Sequence, residues 1–303
     1  DEYERLAREL NLASYRKIPT LMISGGGKKR PTEGPSWLTR GRPIGPADTQ
    51  TAQVDPKEVV DSMMKVAQDL GVKLIIDTVE DMVLGDENPK AVRGVKLASR
   101  GTLHCDKVLV AAGPWSGVLL RKVGFKLPME GIRSTSIVVR SVREAAEEPY
   151  ALFCADDSRG CHLEVYPRPS EEVYVCGCGG SDHVQEEDLA PGGACEKASQ
   201  VSPRHHRAKA AFLSLKDSTT LVPAGQETPD IVQACLRPIL PDALPAIGAV
   251  PGFANSLFVS TGMNCWGITF GPFAGRLIAQ IILHRGKEKD HPSLRHLAAD
   301  RFV

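Results

Sequence analysis

Glycines placed where a strand hands over to a helix are the residues of this chain best suited to chemistry. Gly262, Gly267 and Gly275 follow an apolar run at 257–261, and the stretch from Gly262 to Thr269 leads into a helix. A backbone without Cβ lets N–H groups come close to a planar ring or a phosphate, and the positive end of a following helix adds to the attraction. The alternative for the same residues is a strand-to-helix loop whose glycines only permit close packing. A second place of this kind is Gly113-Pro114, which ends a strand at 107–112 where the chain must turn sharply beneath a ligand.

Other reactive side chains fall into no working pattern. Cys161-His162 with Cys176-x-Cys178 offers thiols and an imidazole, but the spacing fits no zinc site and the residues lie in alternating, strand-like runs, so no metal is expected. His162, His183, His205 and His206 read as structural or solvated. Gly25-Gly26-Gly27 is followed by Lys28-Lys29-Arg30-Pro31 and not by an apolar-periodic helix, so it is no dinucleotide turn, and no Gly-x-Gly-x-x-Gly occurs anywhere.

The bulk properties narrow the ligand. At 303 residues two packed units are expected. Lys plus Arg equals Asp plus Glu at 37 each, so no net field attracts nucleic acid or an anionic membrane; a small neutral or zwitterionic ligand fits better. No uninterrupted apolar run approaches the roughly 18 residues of a membrane span, and 277–283 reads as a turn or two of buried helix. The eight cysteines show no paired framework, which implies reduced thiols in an intracellular compartment, the cytoplasm first and an organelle second. Asp1-Glu2-Tyr3-Glu4-Arg5 is neither a signal peptide nor an initiator context, so the natural start is expected upstream.

Periodicity supplies the elements that position these residues. A helix is expected over 1–12, a strand over 15–24, and over 25–50 a long loop rich in Gly, Pro and Lys that serves as a lid or is partly disordered. Asp55-Pro56 starts a helix that Gly71 ends, with Val59, Met63, Val66, Ala67 and Leu70 on one face. Strands are expected over 72–76, 79–84, 92–97 and 107–112, then over 132–142, 151–154, 162–167 and 173–178 as an antiparallel group. A helix over 194–215 broken near Pro203, strands over 231–237 and 257–261, and a helix over about 272–284 complete the chain.

Three ordered motifs carry a family resemblance. They are Thr51-Ala52-Gln53-Val54-Asp55-Pro56, then Val108-Leu109-Val110-Ala111-Ala112-Gly113-Pro114-Trp115-Ser116, then Cys235-Leu236-Arg237-Pro238 through Pro241-Asp242, Pro245 to Gly248, Gly262, Trp266-Gly267-Ile268-Thr269 and Pro272 to Gly275. Over about 50–285 the chain resembles the D-amino-acid oxidase superfamily, with its glycine oxidase and sarcosine oxidase branches. The resemblance implies an α/β fold in which an FAD-binding, Rossmann-like domain of glutathione-reductase type is interleaved with an antiparallel-sheet substrate domain. The expected division gives 1–14, 51–130 and 238–303 to the FAD-binding domain and 15–50 with 131–237 to the substrate domain.

The same resemblance implies the roles. FAD is bound without a covalent bond by Val79, Ala112, Gly113, Trp115, Gly262, Trp266, Gly267, Ile268 and Thr269. Cys235, which matches the position of a thioether link in some sarcosine oxidases, is the minor alternative for covalent attachment. Arg237 matches the arginine that binds a substrate carboxylate through two points, for which a planar, permanently charged fork is suited; pairing with Asp242 or a backbone carbonyl is its other reading. Tyr166, in Glu164-Val165-Tyr166-Pro167-Arg168, lies on a strand facing the flavin and either shapes the substrate pocket or is a half-buried strand tyrosine. Cys265 and Trp266 stand where a glycine oxidase carries polar residues, so the substrate does not transfer.

The implied reaction is oxidation of a carbon–nitrogen bond of an amino acid or amine by hydride transfer to flavin. The alternatives are a non-catalytic flavoprotein-fold subunit or scaffold, and a dehydrogenase passing electrons to a quinone or protein. Because the family holds the dinucleotide pyrophosphate on a Gly-x-Gly-x-x-Gly unit absent here, about 30 or more upstream residues are expected, and 1–303 alone is expected to hold FAD weakly.

Overall fold

The computed structural model describes residues 2–25, 30–86, 90–180, 182–284 and 292–302, so Gly26 and Gly27 lie outside the described residues. In chain order its elements begin with α1 (Glu2–Leu10), β1 (Arg16–Lys17), β2 (Thr20–Ser24), β3 (Arg42–Pro43), β4 (Ala52–Gln53) and α2 (Pro56–Asp69). There follow β5 (Val79–Leu84), β6 (Val92–Leu97), β7 (Gly101–His104), β8 (Val108–Val110), α3 (Ser116–Lys122), β9 (Glu130–Val139), α4 (Arg143–Glu147) and β10 (Ala151–Cys154). The remainder is β11 (Glu164–Pro167), β12 (Val173–Cys176), β13 (Asp182–Val184), α5 (Glu186–Leu189), α6 (His205–Ser218), β14 (Ile231–Ile239), β15 (Ala246–Ala249), β16 (Leu257–Thr261) and α7 (Gly267–Leu283).

The largest sheet has eight strands in the order β13-β9-β12-β11-β10-β2-β3, with β14 on the other edge of β9. Alternation decides its two faces. Val165, Val173 and Val175 are buried while their neighbours Glu164, Tyr166, Tyr174 and Cys176 are half-buried, the period-2 signature of a sheet covered on one side. The buried face packs Leu21, Ile23, Ile137, Val139, Leu152 and Val165 against Ala208, Ala211, Phe212 and Leu215 of α6. Two three-stranded sheets, β15-β16-β8 and β5-β6-β7, accompany it, and β1 pairs with β4.

Asp55 starts α2 as expected, its carboxylate accepting from the backbone N–H of Lys57 at 2.8 Å. Arg168 holds Asp55 from the large sheet at 3.1 Å, so the cap also joins the helix to β11. A cavity of about 280 Å³ beside this joint is lined by Ser14, Gln53, Val54, Asp55, Glu58 and Arg168 among others. Glu58 there already serves Ala13, Ser14 and the Ser14 hydroxyl.

Several expectations are corrected. Residues 72–76 form no strand and pair with none of the described residues, and Ile76 is 81% exposed, because a strand exists only where a neighbour takes its hydrogen bonds. Among the described residues β8 pairs only with β16, leaving one of its edges open. The expected strand over 15–24 is split between β1 and β2, and the helix over 194–215 is reduced to α6 with a short turn at Ala198–Gln200 before it. The helix expected from 272 begins at Gly267 and contains Pro272. With the turn before it, it gives 20 residues, Asn264–Leu283, long and apolar enough by length and composition to cross a bilayer, and only 17% of the window is buried. Ala274, Leu277 and Ile278 nonetheless pack under Ile247 and Phe258 of the β15–β16 pair, which makes α7 a flank of that sheet.

The long loop is not a lid where it is described. Trp37 and Leu38 are each 1% exposed within the main core. The Trp37 indole N–H donates to the Glu148 carbonyl at 2.9 Å, and the Trp37 carbonyl accepts from the Thr220 N–H at 2.8 Å. Replacing Trp37 by Ala removes a fully buried ring and should cost about 3–5 kcal/mol in a urea or guanidinium melt. A loss below about 1 kcal/mol, the range of surface substitutions, would show that this loop is not an anchor.

Candidate functional site

Two strands set the site. β8 and β16 run parallel, Val108 opposite Leu257 through Val110 opposite Val259, so their carboxyl ends emerge side by side. In open α/β sheets the crevice outside such ends is where ligands bind. After β8 the chain turns through Gly113 at φ +56°, and after β16 through Gly262 at φ +84° and Asn264 at φ +48°. Positive φ favours glycine, and at Gly262 space requires it as well: an added Cβ would meet Leu240 Cδ1 at 3.0 Å and Pro245 Cα at 3.4 Å. The Thr261 hydroxyl donates to the Gly113 carbonyl at 2.9 Å and ties the two turns together.

The second turn delivers the chain into α7, which no side chain caps. Its first backbone N–H groups, from Gly267, Ile268 and Thr269, therefore form a partially positive end that donates no capping hydrogen bond to a side chain among the described residues. A Cβ on Gly267 would meet nothing within 4 Å, so packing does not demand glycine there and close approach by a ligand is open. Pro272 lacks the N–H that would bond the carbonyl of Ile268 four residues before it. The Tyr3 hydroxyl of α1 donates to that carbonyl instead, at 2.5 Å.

Arg237 reaches this region from β14, which packs against the Asn264–Trp266 turn. Asp242 is not its partner. That carboxylate is taken by Arg301, Nε at 2.7 Å and Nη2 at 3.3 Å, and among the described residues Arg237 makes no ion pair. Its Nε is buried with no hydrogen-bond partner, and so is Asn264 Oδ1. An uncompensated buried donor on a charged group costs several kcal/mol, so such atoms beside an open turn fit a polar ligand. The orphan pair and the uncapped helix end fit the polar edge of a flavin and the carboxylate of a substrate.

Tyr166 sits on β11. Its hydroxyl donates to Glu164 Oε2 at 2.7 Å, and its ring stands edge-on to Phe153 at 5.9 Å and tilted on Tyr174 at 6.2 Å. Burial first, then the charge of Glu164, push its phenol well above the ordinary tyrosine range. The Cys176 thiol, 3.3 Å from Glu164 Oε2, is also pushed up by burial and by Glu164, with the charge of Arg237 pulling the other way.

The expected site residues thus divide. Ala112, Gly113, Gly262 and Trp266 to Thr269 line or follow the two turns, and Arg237 joins them from β14. Val79 opens β5 in a different sheet. The Trp115 indole N–H donates to the Cys195 carbonyl at 3.0 Å and the ring packs with Val184 and Leu189, so only the backbone of that residue belongs to the turn. Trp266 is 56% exposed, and Cys235 is exposed on the strand of Arg237. Among the described residues no three His, Cys, Asp or Glu side chains gather as a metal site would need. Asn264 and Glu164 escape a reading of the sequence. The Glu-x-Tyr spacing on an alternating strand, which puts both on one face, is the signal for the second.

With this geometry, comparison with known proteins is informative. The description of the DAO family, FAD dependent oxidoreductase, matches residues 2–281. The chain is 29% identical over 193 residues to a glycine oxidase of Pseudomonas aeruginosa, covering 62% of this chain and 44% of that protein. It is 28% identical over 246 residues to a D-amino acid dehydrogenase of Bradyrhizobium diazoefficiens, covering 80% and 50%. The chain thus spans half or less of these two relatives. The crystal structure of iminodiacetate oxidase from Chelativorans sp. BNC1 superposes with a TM-score of 0.73 at 17% identity, over 98% of this chain and 80% of that one.

The Asp242–Arg301 pair clips 298–302 onto the turn after β14, since Arg301 also donates to the carbonyls of Ala298 and Leu244 at 2.9 Å. Hydrogen bonds from Arg301 hold the Asp242 carboxyl below its ordinary value. A depressed carboxyl contributes stability above its unfolded pKa and loses it as pH falls through the folded one. Asp242→Asn should therefore lower Tm by about 2 °C at neutral pH. In thermal melts the gap from the unsubstituted protein should close as the pH drops below the ordinary carboxylate range; a pH-independent gap would contradict the ion pair.

Proposed function

Given that this chain belongs to the DAO family of FAD dependent oxidoreductases, we propose that it oxidises a carbon–nitrogen bond of an amino acid, or of an amine bearing a carboxylate. The observation that carries the reading is Arg237: a half-buried residue whose guanidinium has no anionic partner among the described residues, beside the turn that precedes α7. A planar fork with fixed donors suits a carboxylate, and its permanent charge keeps the site ready across pH. The names of the two relatives, a glycine oxidase and a D-amino acid dehydrogenase, point to the same substrate chemistry.

FAD, when bound, supplies the acceptor for the two electrons and the hydrogen. Gly113, Gly262 and the first N–H groups of α7 would hold its ring system, the helix end favouring negative charge there. The chain's own work is then positioning. Arg237 fixes one end of the substrate, and the phenol of Tyr166, kept protonated, walls the space as a donor and not as a base. Cys235 lies on the strand of Arg237, yet the Leu236-Arg237-Pro238 continuation supports flavin held without a thioether. A second reading, supported by the match with a D-amino acid dehydrogenase, has the same substrate chemistry with electrons leaving to a quinone or protein.

With FAD at saturation, Arg237→Ala should raise KM for a carboxylate substrate by a factor corresponding to about 2–5 kcal/mol, as when one member of a desolvated charge pair is lost. Arg237→Lys should recover only part, because an ammonium lacks the fork. Unchanged KM would overturn the assignment. Acid denaturation of the flavin-loaded protein should release all yellow colour; colour that stays with the polypeptide and vanishes in Cys235→Ser would reverse the non-covalent reading.

A further inference from the structure

The face of the eight-stranded sheet opposite its core carries two opposite charges, Glu164 and Arg237, that form no ion pair with each other. Strand register puts Glu164 opposite Phe153 on one side and opposite Cys176 on the other, and puts Arg237 opposite Ile132 at the far edge. Three strand gaps, β11 to β12 to β9 to β14, separate them sideways, roughly 14 Å at about 4.8 Å each, and because Glu164 is level with Ser136 of β9 while Arg237 is level with Ile132, a four-residue offset adds roughly 13 Å along the strands. Two long side chains on the same face narrow that distance without closing it. Among the described residues neither makes an ion pair.

Glu164 is also prepared for a cation. Among the described residues its side-chain hydrogen-bonding partners are neutral donors, the Tyr166 hydroxyl at 2.7 Å and the Cys176 thiol at 3.3 Å, which orient the carboxylate without cancelling its charge. Phe153 and Tyr174 flank Tyr166 with aromatic surface, which accepts both methylene groups and a passing positive charge. A half-buried carboxylate held only by neutral groups retains attraction for a cation. The separation from Arg237 requires that this cation be several bonds from the ligand's carboxylate.

We propose that Glu164 is a specificity-determining residue, selecting substrates that carry a second positive group several bonds from the carboxylate taken by Arg237, in the manner of lysine or ornithine. The proposal rests on the reading of Arg237 as the carboxylate site. Tyr166 and Cys176 act as positioning residues for the Glu164 carboxylate.

The test compares racemic lysine with racemic norleucine, which has the same carbon skeleton without the terminal amine. Binding to the full chain with FAD at saturation is measured by isothermal titration calorimetry. Lysine should bind about tenfold or more tightly than norleucine, as expected for a partly desolvated charge pair. Glu164→Gln should erase the difference by weakening lysine alone, and Glu164→Asp should keep part of it. Equal affinities in the unsubstituted protein, a comparison needing no variant, would overturn the proposal while leaving the carboxylate site intact. A lysine preference that survives Glu164→Gln would do the same. If neither amino acid binds, this proposal and the reading of Arg237 fall together.

Discussion

The parallel pairing of β8 with β16 is the constraint from which the rest of the site follows. Two strands nearly 150 residues apart in the chain end at the same level, and each end turns through a backbone conformation that favours glycine. The hydrogen bond from Thr261 to the Gly113 carbonyl locks the two turns as a pair. Without that register α7 would start elsewhere, and its uncapped end would not stand beside β14. Such long-range parallel contacts are slow to form, so the site is among the last features to be assembled.

The large sheet solves a different problem with one alternating pattern. Its inner residues make the main core with α6 and the Trp37 loop, and that burial fixes every strand's register, since a slip by one residue would turn the whole apolar set outward. The outer residues inherit their positions from this. Glu164, Tyr166, Cys176 and Arg237 are thus held by side chains on the opposite face of the same strands. Packing on one face supplies precision on the other.

How far this was legible in the sequence depended on whether local information sufficed. β5, β6, β10 and β16 match the expected strands to the residue, short apolar runs of which β5 and β16 are closed directly by Gly85 and Gly262. Residues 72–76 have equally good strand composition and yet pair with none of the described residues, because pairing is a property of two segments. Trp37 and Leu38 gave no signal within a Gly- and Pro-rich stretch, their anchoring arising from Glu148 and Thr220 far along the chain. Arg237 could be singled out by its motif, whereas its freedom from Asp242 depended on Arg301, some sixty residues on. Glu164 was readable only as an even position on a strand until its neighbours were known.

Pro272 has an effect beyond its own helix. By lacking a hydrogen it leaves the Ile268 carbonyl to an outside donor, and the donor is Tyr3, at the opposite end of the chain. The first turn of α7 is therefore held partly by α1 and only partly by its own ladder. Arg276 reinforces the attachment about two turns further on through Glu2 at 2.9 Å. Residues 2–10 are thus part of the scaffold of the crevice although none of them lines it: the start of α7 rests on a short helix more than 250 residues away in sequence.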